Sequence, residues 1–192
     1  IGKESKKFEE ILKKENINYE FHVFEPNPNI INKIREKNIK NLKIINKGVG
    51  NKIDKKILKI ETNSEKSSFN DKIFNNVINN EISCDFEIID DYLKKSNIKN
   101  VNFMKIDAEG FNQEVLEGAK NSLEKGMIDL ILTEVTLGSK YINKTESIYN
   151  IEKYCKNNYA LIGIDNQYLL EFNSIFHNKA FNIDLLYINK KY

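Results

Sequence analysis

Residues 101–126 read VNFMKIDAEGFNQEVLEGAKNSLEKG, and this stretch decides the fold. Val101 to Asp107 is mostly apolar and bounded by polar residues, which predicts a strand. From about Asn112 to Lys125, the residues Val115, Leu116, Ala119 and Leu123 fall on one stripe. That pattern predicts a helix, closed at its C-terminus by Gly126. Between strand and helix stand two carboxylates, Asp107 and Glu109, and Gly110 permits a tight backbone beside them. Strand, turn and helix in this order build open α/β sheets, which bind ligands at the carboxyl ends of their strands.

The same alternation extends in both directions. MIDLILTE at 127–134 is the most apolar run and predicts a central buried strand. A helix follows over 146–156, then strands over 159–164 and 181–188, this pair expected to be antiparallel. Upstream, residues 3–14 predict a helix with Phe8, Ile11 and Leu12 on one face and charges opposite. Tyr19 to Glu25 predicts a strand, Asn27 offers an N-cap and Pro28 suits the first position of a helix burying Ile30, Ile31 and Ile34. Leu42 to Ile45 is a second strand, ending at a Gly48-Val49-Gly50 turn. Residues 53–62 predict an extra strand, 63–81 a polar loop or hairpin, and 90–95 a short helix. The expected class is α/β: one domain over 1–192 with a mostly parallel central sheet, helices on both faces and an antiparallel C-terminal strand.

Composition narrows the function classes. The 192 residues are 40% hydrophobic, enough for a core. Thirty basic and 28 acidic side chains give a net charge of +2 with both signs dispersed, unlike the one-sided surplus of a nucleic-acid binder. No run approaches the roughly 18 apolar residues of a membrane-spanning helix. Cys84 and Cys155 form neither a disulfide framework nor a metal cluster, and a reduced, cytoplasmic compartment is the expectation. Asparagine and isoleucine each make up roughly 15% of the chain, so asparagine no longer marks turns selectively. The only two prolines, Pro26 and Pro28, therefore make their neighbourhood informative.

That neighbourhood is Phe24-Glu25-Pro26-Asn27-Pro28, with a carboxylate at the end of an early strand. In nucleoside-binding folds an acid about 20 residues beyond a glycine turn accepts the ribose hydroxyls. Gly2 precedes Glu25 by 23 positions. A solvated strand-end glutamate is the competing account. For Asp107 and Glu109 the alternatives are orienting a cationic cofactor, taking a proton from a substrate hydroxyl, or, for Glu109, favouring the following helix dipole. Ser67, Ser68 and Glu134 are weaker candidates; His22, His177, Tyr141, Tyr149 and Tyr154 are more simply structural. No cluster has metal-ligand spacing, although Asp107 with Glu109 offers oxygen ligands to a hard cation.

Four segments, FHVFEPNP at 21–28, KGVGNK at 47–52, SSF at 67–69 and FMKIDAEGFNQEVLEGA at 103–119, resemble the FkbM-type family of S-adenosylmethionine-dependent methyltransferases. The resemblance implies a Rossmann-like class I methyltransferase fold and S-adenosylmethionine as cofactor. It implies O-methylation of a hydroxyl on a sugar or other small metabolite. Glu25 corresponds to the ribose-binding acid, Gly48 and Val49 to the adenine-packing segment, and Asp107 and Glu109 to the surroundings of the transferred methyl, Asp107 being the better catalytic candidate. Gly2 is what matches the family's glycine-rich turn. The family's first strand belongs mid-sheet between the strands bearing Glu25 and Asp107. The chain, starting at Ile1, is thus expected to be a fragment lacking that strand and most of the turn. Two other classes compete: a catalytically silent scaffold, and a nicotinamide-dependent oxidoreductase, for which Asp107-Ala108-Glu109-Gly110 has no role.

Overall fold

A glutamate, not an apolar stripe, seats the first helix. In the computed structural model, which describes residues 2–61, 67–69, 78–137, 147–165 and 181–192, helix α1 spans Gly2–Lys14. Phe8 and Ile11, on the expected apolar face, are 37% and 58% exposed, whereas Glu9 is fully buried. The physical reason is the set of donors around its carboxylate. Lys6 and Lys13 ammoniums lie at 2.6 and 2.8 Å, the Tyr19 hydroxyl at 3.1 Å and the Lys40 N–H at 2.9 Å. Lys13 first, then Lys6, hold this carboxyl well below its usual range.

The described chain divides into two compact units, Ile1–Gly48 with Asp54–Phe86, and Val49–Ile53 with Glu87–Tyr192. In the first, β1 (Phe21–Phe24) pairs in parallel with β2 (Leu42–Ile45), and α2 (Pro28–Arg35) connects them. Ile31 and Ile34 are the buried residues of α2. Beyond β3 (Gly48–Val49), β4 (Lys55–Glu61) pairs antiparallel with β5 (Ser67–Ser68) and with β6 (Ile78–Glu87). Leu58, Ile60 and Cys84 form the apolar face, with Phe69 and Ile82 packed on it. Strand β6 was not expected, yet Ile82, Cys84 and Phe86 alternate with polar residues at the strand period. The rest of the 63–81 segment lies outside the described residues.

The second unit carries α3 (Ile89–Lys95), β7 (Val101–Ile106), α4 (Asn112–Gly118), α5 (Lys120–Glu124), β8 (Ile128–Leu137), α6 (Ile148–Cys155), β9 (Tyr159–Asp165) and β10 (Phe181–Asn189). Its sheet runs β7-β8-β10-β9; β7 and β8 are parallel, and β10 is antiparallel to both neighbours, as expected of the closing strands. Leu116, Leu123, Ile128, Ile131, Val135 and Leu185 are fully buried, or nearly so. Burial of each contributes about 1.5–3 kcal/mol before entropy is counted.

Two expectations need correction. The described strands make three sheets rather than one mostly parallel sheet: a parallel pair, a mixed four-stranded sheet, and a four-stranded sheet built on antiparallel pairs. Among the described residues β1 bonds only to β2, and β7 only to β8. The helix expected over 112–125 is also broken, at Ala119. Asp90 of α3 causes a fresh start there. Its carboxylate accepts the N–H groups of Asn121 and Ser122, both at 2.9 Å, and so caps α5.

The break coincides with a close approach. A Cβ on Gly118 would stand 2.1 Å from the carbonyl oxygen of Gly50, so α4 touches the Val49–Ile53 backbone directly. Asn51 reinforces this contact by donating to Glu117 at 3.0 Å. We expect Gly118→Ala to lower stability by about 1–3 kcal/mol, because a backbone carbonyl cannot move aside as a side-chain end would. Gly163→Ala, whose nearest neighbour is Leu186 at 3.4 Å, should change it by less than about 0.5 kcal/mol. Urea unfolding of both variants checks the pair; equal losses would refute the steric account.

Candidate functional site

Glu25 sits one residue past β1, where its N–H still bonds the Ile45 carbonyl at 3.0 Å and prolongs the parallel pair. The chain then turns sharply through two prolines. Asn27 N–H donates to Glu25 Oε1 at 2.8 Å, while Asn27 Oδ1 accepts the Asn29 N–H at 3.0 Å as the N-cap of α2. Asn27 Nδ2 donates to Ser67 Oγ at 3.4 Å, which brings the SSF segment to this turn. The Cys84 thiol lies 3.7 Å from the Pro26 carbonyl. Glu25 is only 7% exposed. Burial pushes its carboxyl up, and the Asn27 N–H draws it partly back. Among the described residues Oε1 has that one donor and Oε2 has none. A buried carboxylate with an oxygen to spare suits a ligand bearing hydroxyl donors.

Gly48 is buried, and the Phe86 ring stands where a side chain would be, 2.7 Å from an ideal Cβ. Phe69 meets that ring edge-on, with centroids 4.7 Å apart, and Lys56 lies over it at 5.7 Å. The missing Cβ at 48 therefore makes room for an aromatic ring of the protein. Val49 is half-buried.

In the second unit Asp107 and Glu109 follow β7, and both are exposed. Lys105 Nζ lies 3.5 Å from Asp107 Oδ2. Glu109 has φ of +45° and Gly110 +99°, two successive left-handed residues of which the first is not a glycine. This reversal turns the strand back into α4, and Phe111 N–H closes it on the Ala108 carbonyl at 3.2 Å. Asn112 is buried behind it. Its Oδ1 accepts the Ala108 N–H and its Nδ2 donates to the Glu134 carbonyl, both at 2.8 Å. The backbone of Glu134 thus has a structural hydrogen-bonding role.

The structure gathers Glu25, Asn27 and Ser67 in one unit, and Asp107, Glu109, Asn112 and Glu134 in the other. Gly2 is the first residue of α1. His22 Nε2 lies 2.9 Å from Glu20, Tyr149 is exposed and Tyr154 is half-buried. His177 and Tyr141 lie outside the described residues. Among the described residues no three His, Cys, Asp or Glu side chains gather as a metal site, and no helix is long and apolar enough to cross a membrane. Sequence reasoning passed over Asn27 as more than a cap, and over Asn112 altogether. The available signal for Asn112 was an amide where the helix stripe begins, two residues after a glycine.

The family model of the methyltransferase FkbM domain matches residues 2–161. The crystal structure of a methyltransferase FkbM from Methylobacillus flagellatus KT is similar at 14% identity and a TM-score of 0.47. The match covers 93% of this chain but spans only 39% of that one. No curated protein matches the chain.

Glu25 provides a test that needs no ligand. Its carboxyl titrates above the ordinary 4.5 when folded, so the folded state holds the proton longer than the unfolded one. Stability should therefore fall as pH rises from the ordinary value through the raised one, and the penalty is absent below both. We expect Glu25→Gln, which keeps an acceptor for the Asn27 N–H, to be more stable than wild type at about pH 7.5 and equal to it at about pH 3.5. Denaturation midpoints at the two pH values measure this, and an unchanged difference would remove the buried-charge account.

Proposed function

Because the chain belongs to the methyltransferase FkbM family, we propose that it moves a methyl group from S-adenosylmethionine to a hydroxyl oxygen of a sugar or other small metabolite. The observation that carries this reading is Glu25, a buried strand-end carboxylate whose Oε2 has no donor among the described residues. S-adenosylmethionine, when bound, brings its own activated methyl on a cationic sulfur. The work left to the protein is binding, orientation and proton removal.

Val49 and the Gly48 backbone, on the side away from the Phe86 ring, would hold the adenine, and Gly2, at the first turn of α1, would hold the amino-acid portion. Glu109, two residues on from Asp107, would add negative charge favourable to a cationic sulfonium. The exposure of Asp107 and Glu109 supports assigning proton removal to this turn, since a group that meets an incoming acceptor must be reachable.

Calorimetric titration with S-adenosylhomocysteine and with NAD discriminates the classes. We expect binding of the first alone; NAD binding would indicate hydride chemistry, and binding of neither a silent scaffold. Glu25→Ala should weaken S-adenosylhomocysteine binding by about 1.5–3 kcal/mol, the range for a hydrogen bond to a charged group. Unchanged affinity would remove the ribose assignment. A panel of monosaccharides with radiolabelled S-adenosylmethionine tests the acceptor class. With any acceptor so found, Asp107→Asn should slow turnover far more than it weakens S-adenosylhomocysteine binding. The reverse pattern would make Asp107 a cofactor ligand.

A further inference from the structure

The residue that controls the Asp107–Gly110 reversal is not part of it. Asn112 is 1% exposed, and both ends of its amide are committed to backbone groups: Oδ1 to the Ala108 N–H and Nδ2 to the Glu134 C=O, at 2.8 Å each. Ala108 lies between the two exposed carboxylates, and Glu134 lies on β8, the strand that pairs with β7. One side chain therefore ties the carboxylate-bearing turn to the neighbouring strand. The tied backbone is an unfavourable one, with Glu109 at φ +45° directly before Gly110 at +99°. A glutamate persists in that region only where its surroundings over-determine it. Asn112 contributes to that determination from a buried position, beside the Phe111 N–H bond to the Ala108 carbonyl.

Packing alone does not account for an amide here. Val115 and Leu116, one turn further along α4, fill buried space with apolar side chains. An amide at 112 instead carries a desolvation cost that only two well-aligned partners offset. What it gains is geometry. The Ala108 N–H is fixed on one side and the end of β8 on the other, so Asp107 and Glu109 leave the backbone in set directions.

We propose that Asn112 is a positioning residue: through Ala108 and Glu134 it fixes the reversal that presents Asp107 and Glu109 to the acceptor. The step from a fixed turn to methyl transfer rests on the function proposed above. The experiment separates the two. In Asn112→Leu, of similar size but without either hydrogen bond, amide exchange at Ala108 should rise about tenfold, the loss of one hydrogen bond, while β8 amides keep their protection. In Asn112→Asp, which keeps the acceptor and loses the donor, Ala108 should stay protected.

With the monosaccharide that the wild type methylates best, kcat of Asn112→Leu should fall about 10- to 100-fold, as expected for a misplaced group. KM and the affinity for S-adenosylhomocysteine should change little, and Asn112→Asp should recover part of kcat. Should Asn112→Leu not fold, Asn112→Ser carries the same measurements. Unchanged exchange at Ala108, or an unchanged kcat, overturns the proposal, as does a loss that follows S-adenosylhomocysteine affinity instead of kcat. If the wild type methylates nothing, the transferase reading fails by itself. Exchange at Ala108 then decides the clamp alone: faster exchange supports it and unchanged exchange overturns it.

Discussion

A polar group taken out of water has to find its partner inside the fold, and in this chain asparagine is the usual answer. Asn27, Asn112 and Asn189 are all buried; Asn112 and Asn189 each join two backbone groups, and Asn27 joins a backbone N–H to the Ser67 hydroxyl. Asn100 and Asn102 both donate at 2.9 Å to Asp129, a buried carboxylate on β8 that Lys191 also reaches at 2.7 Å. An amide offers donors and acceptors on one short stem and carries no charge. It can therefore tie a turn to a strand without the desolvation penalty of an ion. The composition that blurs the sequence thus supplies the internal ties of both units.

Two buried glutamates in the first unit show how differently the same side chain can be treated. Glu9 is surrounded by donors from Lys6, Lys13, Tyr19 and Lys40, and its carboxyl is held far down. Such a group is stable as an anion and has nothing left to offer a ligand; it fastens α1. Glu25 has one backbone donor, and burial pushes its carboxyl up. An under-satisfied buried carboxylate costs stability, and folds keep such groups where a ligand completes them. The contrast separates a carboxylate engaged on every side within its unit from one that accepts a single hydrogen bond among the described residues, without appeal to either residue's place in a motif.

Much of this was legible beforehand, and the exceptions have physical causes. The strand–turn–helix at 101–126 and the capped helix after Pro26 follow from local rules: apolar period, N-cap and proline position. The anchor of α1 was missed because periodicity counts apolar residues and cannot register a buried charge satisfied by two lysines of its own helix and by donors from Tyr19 and Lys40. Asn16, Asn38 and Asn97 close α1, α2 and α3 in the left-handed conformation, at φ between 49° and 55°. They are ordinary helix stops, hidden because asparagine is everywhere in the chain. The sheet order was out of reach of local patterns, since which strands pair is decided by contacts far apart in sequence. At the site, the two carboxylates were visible as chemistry, while Asn112 was not, because its role exists only once β8 lies alongside β7.

The spacing within 107–118 now has a mechanical explanation. Asp107 and Glu109 face solvent, Gly110 completes the reversal, Asn112 clamps it to β8, and Gly118 ends α4 against the Gly50 carbonyl. From Asn112 to Gly118 the helix lasts seven residues, about two turns. Its first residue thus fixes the carboxylate turn and its last rests on the Val49–Ile53 backbone. Lengthening α4 by one residue would rotate the later position by about 100° and turn the bare face of Gly118 away from Gly50. The segment therefore acts as a strut of set length between two loops. Its residues divide into those exposed at the turn, Asp107 and Glu109, and those that keep the strut's two ends in place, Asn112 and Gly118.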